Sequence, residues 1–214
     1  MASCCRAQPC EEIFDWRIAR WDLRSYRRRG LAKLDRKLLK SIDAANFAGG
    51  RVLEIGGGIG VLQAELLLQG AASGEVIELV SAYRPYAAEL AADLGVAERT
   101  EFRVLDVLAA QKAVEPADVV LLNRVICCSP DGLELVNLAA TRTRRALLLS
   151  YPRDSLVLRL AARLQHRLFR LFRRQYRFYV RPTADVVEAA TSAGLRLHSS
   201  GRGLVWERAT FVRD

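Results

Sequence analysis

Apolar and polar positions alternate with two different periods along this chain. Between Glu11 and Phe47, apolar Ile13, Phe14, Ile18 and Trp21, then Leu31, Leu34, Leu38, Leu39 and Ile42, recur every three or four residues. That is the spacing of helices burying one face, and Gly30 divides the stretch into two of them. Beyond Gly50 the pattern becomes short, almost wholly apolar runs separated by helical segments. Strands are predicted at 52–55, 75–79, 101–105, 117–123 and 144–150, with helices at 60–69, 83–94 and 131–140. Runs without alternation are buried on both faces, which requires a parallel sheet with helices on either side. Residues 155–174 then form an amphipathic helix. Leu156, Leu160, Leu164, Leu168 and Leu171 make one stripe, and Arg159, Arg163, Arg167, Arg170 and Arg174 run beside it. A helix at 183–193, Gly194 and strands at 195–199 and 204–212 close the chain.

At 214 residues and 51% hydrophobic content, the chain has material for one sizeable core, and two would be cramped. We expect one α/β domain over 1–214. Its parts are N-terminal helices at 11–47, a core at 51–150, a basic insertion at 151–182 and a C-terminal helix and strands at 183–214. No run of eighteen apolar residues occurs, and the first residues lack a signal-peptide pattern, so a cytoplasmic protein is expected. Five cysteines, Cys4, Cys5, Cys10, Cys127 and Cys128, are too few and too uneven for a disulfide framework. They show no C-x-x-C spacing, and no metal site is expected from them.

The net charge of +9 is unevenly placed. Residues 153–181 hold nine arginines and only Asp154, whereas residues 41–152 hold nine basic and fourteen acidic groups. The predicted core is therefore acidic, and the excess positive charge sits in the helical start and the late insertion. Such asymmetry bears on partners rather than on fold.

The candidate chemistry begins at Val52-Leu53-Glu54-Ile55-Gly56-Gly57-Gly58-Ile59-Gly60, where glycines spaced G-x-G-x-G join a buried strand to a helix. Glycines at such a turn let a ligand approach the backbone closely. Glu78 follows eighteen positions after Gly60, at the end of the second strand, where a carboxylate can meet a ribose. A dinucleotide fingerprint, G-x-G-x-x-G, fails because its third small position falls on Val61.

The order Glu-x-Gly-x-Gly-x-Gly resembles motif I of class I S-adenosylmethionine-dependent methyltransferases. Likewise Arg124-Val125-Ile126-Cys127-Cys128-Ser129-Pro130-Asp131 resembles a signature of bacterial methyltransferase-domain proteins distantly similar to magnesium-protoporphyrin methyltransferases. The resemblance spans 11–214 and implies an α/β, Rossmann-like, doubly wound seven-stranded sheet. An N-terminal helical lid and a basic helical insertion after the fifth strand complete it, and the last two strands form its antiparallel hairpin. The implied cofactor is S-adenosyl-L-methionine, bound by Glu54, Gly56, Gly58, Gly60, Glu78 with Leu79, Asp106 with Val107, and Asn123. Glu54 would lie near the methionine amine and Asp106 near the adenine amino group, though an aspartate there can equally cap the following turn.

Ligands of doubly wound sheets bind beyond the carboxyl ends of the strands, which brings Asn123 and Arg124 to the reactive methyl. Methyl transfer is an in-line displacement, so the protein mainly holds donor against acceptor and excludes water. Tyr151, Tyr26 from a lid at 26–30, and Arg124 as the orienter of an anionic acceptor are the expected catalytic residues. We expect a small-molecule acceptor of acidic or amphiphilic character. A peripheral S-adenosylmethionine-binding protein on an anionic membrane is the alternative, because arginines beside leucines suit that surface. A nucleic-acid methyltransferase is disfavoured, since 123–126 lacks the N/D-P-P-Y/F pattern of amino-base enzymes. The leucine stripe is expected to be buried as a packed lid, giving the sheet apolar cover.

Overall fold

In the computed structural model, residues 10–213 are described. Two helices, α1 (Trp16–Arg29) and α2 (Lys33–Leu39), precede the sheet. The Asp15 carboxylate accepts hydrogen bonds from the amides of Arg17 and Ile18 to start α1, and Gly30, at φ +63°, ends it. Then follow β1 (Arg51–Ile55), α3 (Val61–Leu68), β2 (Ser73–Glu78), α4 (Arg84–Asp93), β3 (Thr100–Val104), β4 (Ala117–Asn123), α5 (Gly132–Thr141) and β5 (Thr143–Pro152). The amphipathic helix α6 (Leu156–Leu171), α7 (Thr183–Thr191), β6 (Arg196–Arg202) and β7 (Trp206–Val212) complete the chain.

The seven strands lie in the order β3-β2-β1-β4-β5-β7-β6. The first five are parallel, while β7 runs antiparallel to both β5 and β6. The parallel strands are those expected from the apolar pattern, and the doubly wound seven-stranded sheet with its antiparallel end is the one the resemblance implies. Strand order reverses between β1 and β4, so the loops after these two strands diverge to opposite faces and leave a crevice, the usual ligand site of such sheets.

Both faces are covered, which explains the unbroken apolar runs. Along β4, Val120 and Leu122 join Leu135, Val136 and Ala139 of α5 and Val186 and Ala190 of α7. The alternate residues Val119 and Leu121 join Leu38 and Leu39 of α2 and Leu62 and Leu66 of α3 on the other face. Strand β5 runs two residues beyond its expected end because Pro152 still pairs with Trp206.

One expectation fails. The leucine stripe of α6 is not buried: among the described helix residues only Ala162 is, whereas Leu156, Leu160, Leu164, Leu168 and Leu171 all face outward. The sheet needs no cover from them, because α2, α3, α5 and α7 already supply it. The inward side of α6 consists of Leu158, Ala162, Gln165, His166 and Phe169. They meet the returning segment 176–181, where His166 Nε2 lies 2.8 Å from the Phe178 carbonyl and the Phe178 amide donates to Gln165 Oε1 at 3.1 Å. Among the described residues no helix is long and apolar enough to cross a membrane.

The close approach of α3 to β2 turns on Gly60, whose φ is +78° and whose absent Cβ would stand 2.6 Å from Val76 Cγ2. Both backbone strain and overpacking oppose a side chain here. Gly60→Ala is expected to lower stability by about 1–3 kcal/mol in urea unfolding. A variant as stable as the parent would show that α3 can shift away from the sheet.

Candidate functional site

At the crevice the β1–α3 turn is braced from two sides by buried carboxylates. Glu78 Oε2 accepts the Gly58 amide at 2.9 Å, while Oε1 accepts those of Leu79 and Val80 at 2.8 and 3.1 Å. Glu54 Oε2 accepts the Gln63 amide in the first turn of α3 at 3.0 Å. Gly57 must be glycine because the Glu54 side chain passes across it: a Cβ would lie 2.6 Å from Glu54 Cγ. Gly56 and Gly58 adopt φ +65° and +56°, and Cβ atoms there would press on Val125 and Tyr83.

The turn forms one wall of a cavity of about 1090 Å3. Glu54, Gly56, Gly58, Glu78, Leu79, Asp106, Val107, Asn123 and Arg124 all line it. Asp106 serves its own turn as well, with Oδ1 accepting the amides of Leu108 and Ala109 at 3.0 and 3.3 Å. Three expected residues lie elsewhere. Gly60 faces Val76 rather than the cavity, so its role is packing. Tyr26 points its hydroxyl at Glu65 Oε1, 2.8 Å away, while Arg27 pairs with Glu89 and Asp93. The expected lid at 26–30 therefore packs on α3 and α4, and residues 10–22 cover the site instead through Cys10, Phe14, Ile18 and Asp22. Tyr151 is 2% exposed inside the core formed with α7. Burial, with Glu207 nearby, pushes its pKa up to about 12, which leaves it unsuited to take a proton.

Arg124 carries an unusual conformation for a non-glycine residue, φ +61°. It is over-determined by its neighbours, as strained residues at sites generally are. Its amide donates to the Ser150 carbonyl and hydroxyl, both at 3.0 Å, and its guanidinium to both oxygens of Asp35, at 3.1 and 3.0 Å. Asn123 Nδ2 also donates to Asp35, at 3.0 Å, and its Oδ1 accepts from the Ser150 hydroxyl. Asp35 is thus a buried counter-ion that locks the end of β4.

Asp22 and Asp35 were not legible as site residues, because each is one acid among many basic residues in the helical start. Their signal is positional: Asp22 sits beside buried Ala19 and Leu23, and Asp35 beside buried Leu38 and Leu39, on the inward faces of α1 and α2. Burial raises Asp22 to about 6, with Arg124 opposing and Asp35 adding to the shift. Burial lifts Glu54 to about 8, against the Gln63 hydrogen bond, and raises Glu78 despite its three amide donors. Tyr83, held above the usual phenol range by burial, also lines the cavity.

The opposite wall is basic and aromatic. Arg170, Arg173, Arg174 and Arg177 line it together with Phe14, Ile18, Tyr176, Phe178, Tyr179 and Trp206. The amide of Tyr179 donates to the Cys127 carbonyl at 2.8 Å, and Arg181 donates to the carbonyls of Ser129 and Pro130. The loop after β4 is thereby tied to the segment after α6. Cys10, Cys127 and Cys128 line the cavity as well, whereas Cys4 and Cys5 lie outside the described residues. Cys127 and Cys128 hold their sulfurs 3.7 Å apart, and Cys128 meets the Tyr176 hydroxyl at 3.2 Å. Among the described residues, no group of three or more histidine, cysteine or acidic side chains is placed to hold a metal ion.

No family model and no curated protein matches the chain. Solved structures do. The magnesium protoporphyrin IX methyltransferase of Synechocystis PCC 6803, with bound SAH, is 20% identical with a TM-score of 0.67, over 84% of this chain and 81% of that one. An O-methyltransferase family protein from Burkholderia thailandensis is 20% identical with a TM-score of 0.68, over 86% and 57%. An O-methyltransferase family 2 protein from Planctomyces limnophilus, in complex with apigenin, is 19% identical with a TM-score of 0.68, over 94% and 63%. The chain has the Rossmann-like fold of these methyltransferases.

Glu54 makes stability depend on pH. Its folded pKa of about 8 exceeds the ordinary 4.5, so between these values the native state holds a proton that the unfolded chain releases. Stability therefore falls as pH rises through that window, and the raised Asp22 and Glu78 act in the same direction. Glu54→Gln keeps an acceptor for the Gln63 amide but cannot ionise. Relative to the parent, it is expected to gain at least about 1 kcal/mol on going from about pH 5 to pH 8 in urea unfolding. An unchanged slope would place the titrating group elsewhere.

Proposed function

We propose that this protein is an S-adenosylmethionine-dependent methyltransferase, acting on a small acceptor that combines an apolar, ring-like body with an anionic group. The observation that carries this reading is the asymmetric cavity. A glycine turn held by two buried carboxylates forms one wall, and four arginines among aromatic rings form the other.

The residues present suit the cofactor. The Glu78 carboxylate offers about four acceptor positions, of which amides take three, so one remains on Oε2 for a ribose hydroxyl. Gly56 and Gly58 keep the cavity floor open at backbone level. Glu54 and Asp106 add acceptors for ammonium and amino groups, with Leu79 and Val107 as apolar neighbours, and Asn123 ends β4 beside them. When bound, the cofactor supplies an electrophilic methyl carbon on a sulfonium.

The chain's own tasks are to hold the acceptor in line with that carbon, to exclude water, and to receive a proton where the acceptor carries one. The arginines hold the anionic group, and Phe14, Tyr176 and Trp206 hold the apolar body. Arg124, pinned by Asp35, orients the acceptor near the end of β4. Asp22, with a pKa of about 6 and its carboxylate lining the cavity, takes the proton in place of the buried tyrosines. A base with that pKa is largely ionised at neutral pH yet still basic enough to accept a proton. Arg170, Arg173 and Phe178 complete the wall that keeps bulk water out.

Calorimetry should detect binding of S-adenosylhomocysteine, abolished by Gly58→Val and weakened by about 1–3 kcal/mol in Glu78→Ala. Absence of binding to the parent protein, or tighter binding of NAD, would defeat the reading. With labelled S-adenosylmethionine and a panel of aromatic acids and their neutral amides, methylation is expected for the acids alone. Its acidic limb should fall near pH 6 and vanish in Asp22→Asn. Equal turnover of acids and amides would remove the arginines from acceptor recognition.

A further inference from the structure

We propose that α6 is a docking element for an anionic lipid bilayer, with its leucines in the apolar layer and its arginines among the headgroups. The orientation of the helix is settled by its contacts. Ala162, Gln165, His166 and Phe169 face the segment 176–181. At 3.6 residues per turn, the side opposite to these carries Leu160, Leu164, Leu171 and Val157, with Leu156 and Leu168 at its margins. These side chains are 45 to 77% exposed, and Phe172, just past the helix end, is 72% exposed. A contiguous apolar surface of this extent marks an interaction site.

Charge complementarity identifies the partner. Arg159, Arg163, Arg167 and Arg170 run along one flank of the leucine face, and Asp154, the one acid within residues 153–181, is already bonded to Arg159. An antiparallel pair with a second copy of the chain would bring arginine flank against arginine flank, which disfavours that symmetric pairing. Nucleic acid would satisfy the arginines but leave the leucines in water. Anionic lipid satisfies both, and an amphipathic helix with basic residues beside leucines is the kind that lies in a membrane interface. The start of α1 lies beside the segment that follows α6. The segment after α6 is tied to Glu12 by hydrogen bonds from Arg174 and Gln175, Phe14 packs edge-on against Tyr176, and half-exposed Trp16 follows. Tryptophan suits the headgroup level, with an apolar body and one polar atom.

The consequence is positional. Arg170, Arg173 and Arg174 belong both to this basic segment and to the cavity wall, so docking sets the mouth of the cavity at the membrane surface. An amphiphilic acceptor could then enter from the lipid without crossing water. That consequence rests on the transferase reading, whereas the docking itself does not.

The test is co-sedimentation at physiological salt with vesicles of phosphatidylcholine alone and of phosphatidylcholine mixed with phosphatidylglycerol. The parent protein should bind the mixed vesicles and leave the neutral ones nearly free, and added salt should weaken the binding. Two double variants outside the cavity, Arg163→Glu with Arg167→Glu and Leu160→Asn with Leu164→Asn, should each weaken partition by about a hundredfold or more. Circular dichroism and thermal melting should match the parent in both, because these side chains are exposed. No binding to the mixed vesicles, equal binding to neutral ones, or full retention by either variant would overturn the proposal. A concentration-dependent dimer lost in the leucine variant, without vesicle binding, would assign the face to a second copy instead. Failure of S-adenosylhomocysteine binding alongside intact vesicle binding would reject the transferase reading and leave the docking standing.

Discussion

The hydrogen bond from the Gly58 amide to the Glu78 carboxylate, at 2.9 Å, is the contact on which the rest of the site depends. It joins the end of β2 to the turn after β1, and so fixes the height at which the backbone passes over the sheet edge. Holding an acid there costs free energy, since burial raises Glu78 against three amide donors. The same is true of Glu54 on the other side of the turn. Two buried acids aimed at backbone amides make the turn a rigid cradle.

A second knot forms where β4 ends. Arg124 accepts a left-handed backbone because Ser150, Asn123 and Asp35 together over-determine it. Its guanidinium is anchored at one end to Asp35, and its charge also opposes the burial of Asp22. The end of β4 and the acid of α1 that lines the cavity are therefore not independent features. One positive group, fixed by one buried acid, partly offsets the effect of burial on another acid facing the same cavity.

The segment from α6 to Arg181 is built outward from this cavity. Its inner edge is held by backbone bonds to the loop after β4, and its arginines and rings complete the wall. Because other helices already cover both faces of the sheet, nothing in the core draws the leucines of α6 inward. The helix can thus serve the cavity with one end and face solvent or a partner with its apolar stripe.

Much of this was legible from local pattern. The largely apolar runs of β1, β4 and β5, alternating with helices, determined a parallel sheet, since every second residue must find cover on each face. The glycines of the turn and Glu78 at the end of β2 determined where the crevice opens, because strand length and a tight turn leave little freedom between them. What helical period could not decide was which neighbour each face meets. Tyr26 and Asp22 lie four residues apart on one helix, yet one reaches Glu65 and the other the cavity. Tyr151 follows the same strand as Ser150 but points into the core. Asp35 finds Arg124 across 89 positions. The leucine stripe of α6 reads identically whether buried or exposed, since amphipathicity specifies that a face is apolar and says nothing of what covers it. Only the packing of the other helices, which left that face no partner within the fold, decided the matter.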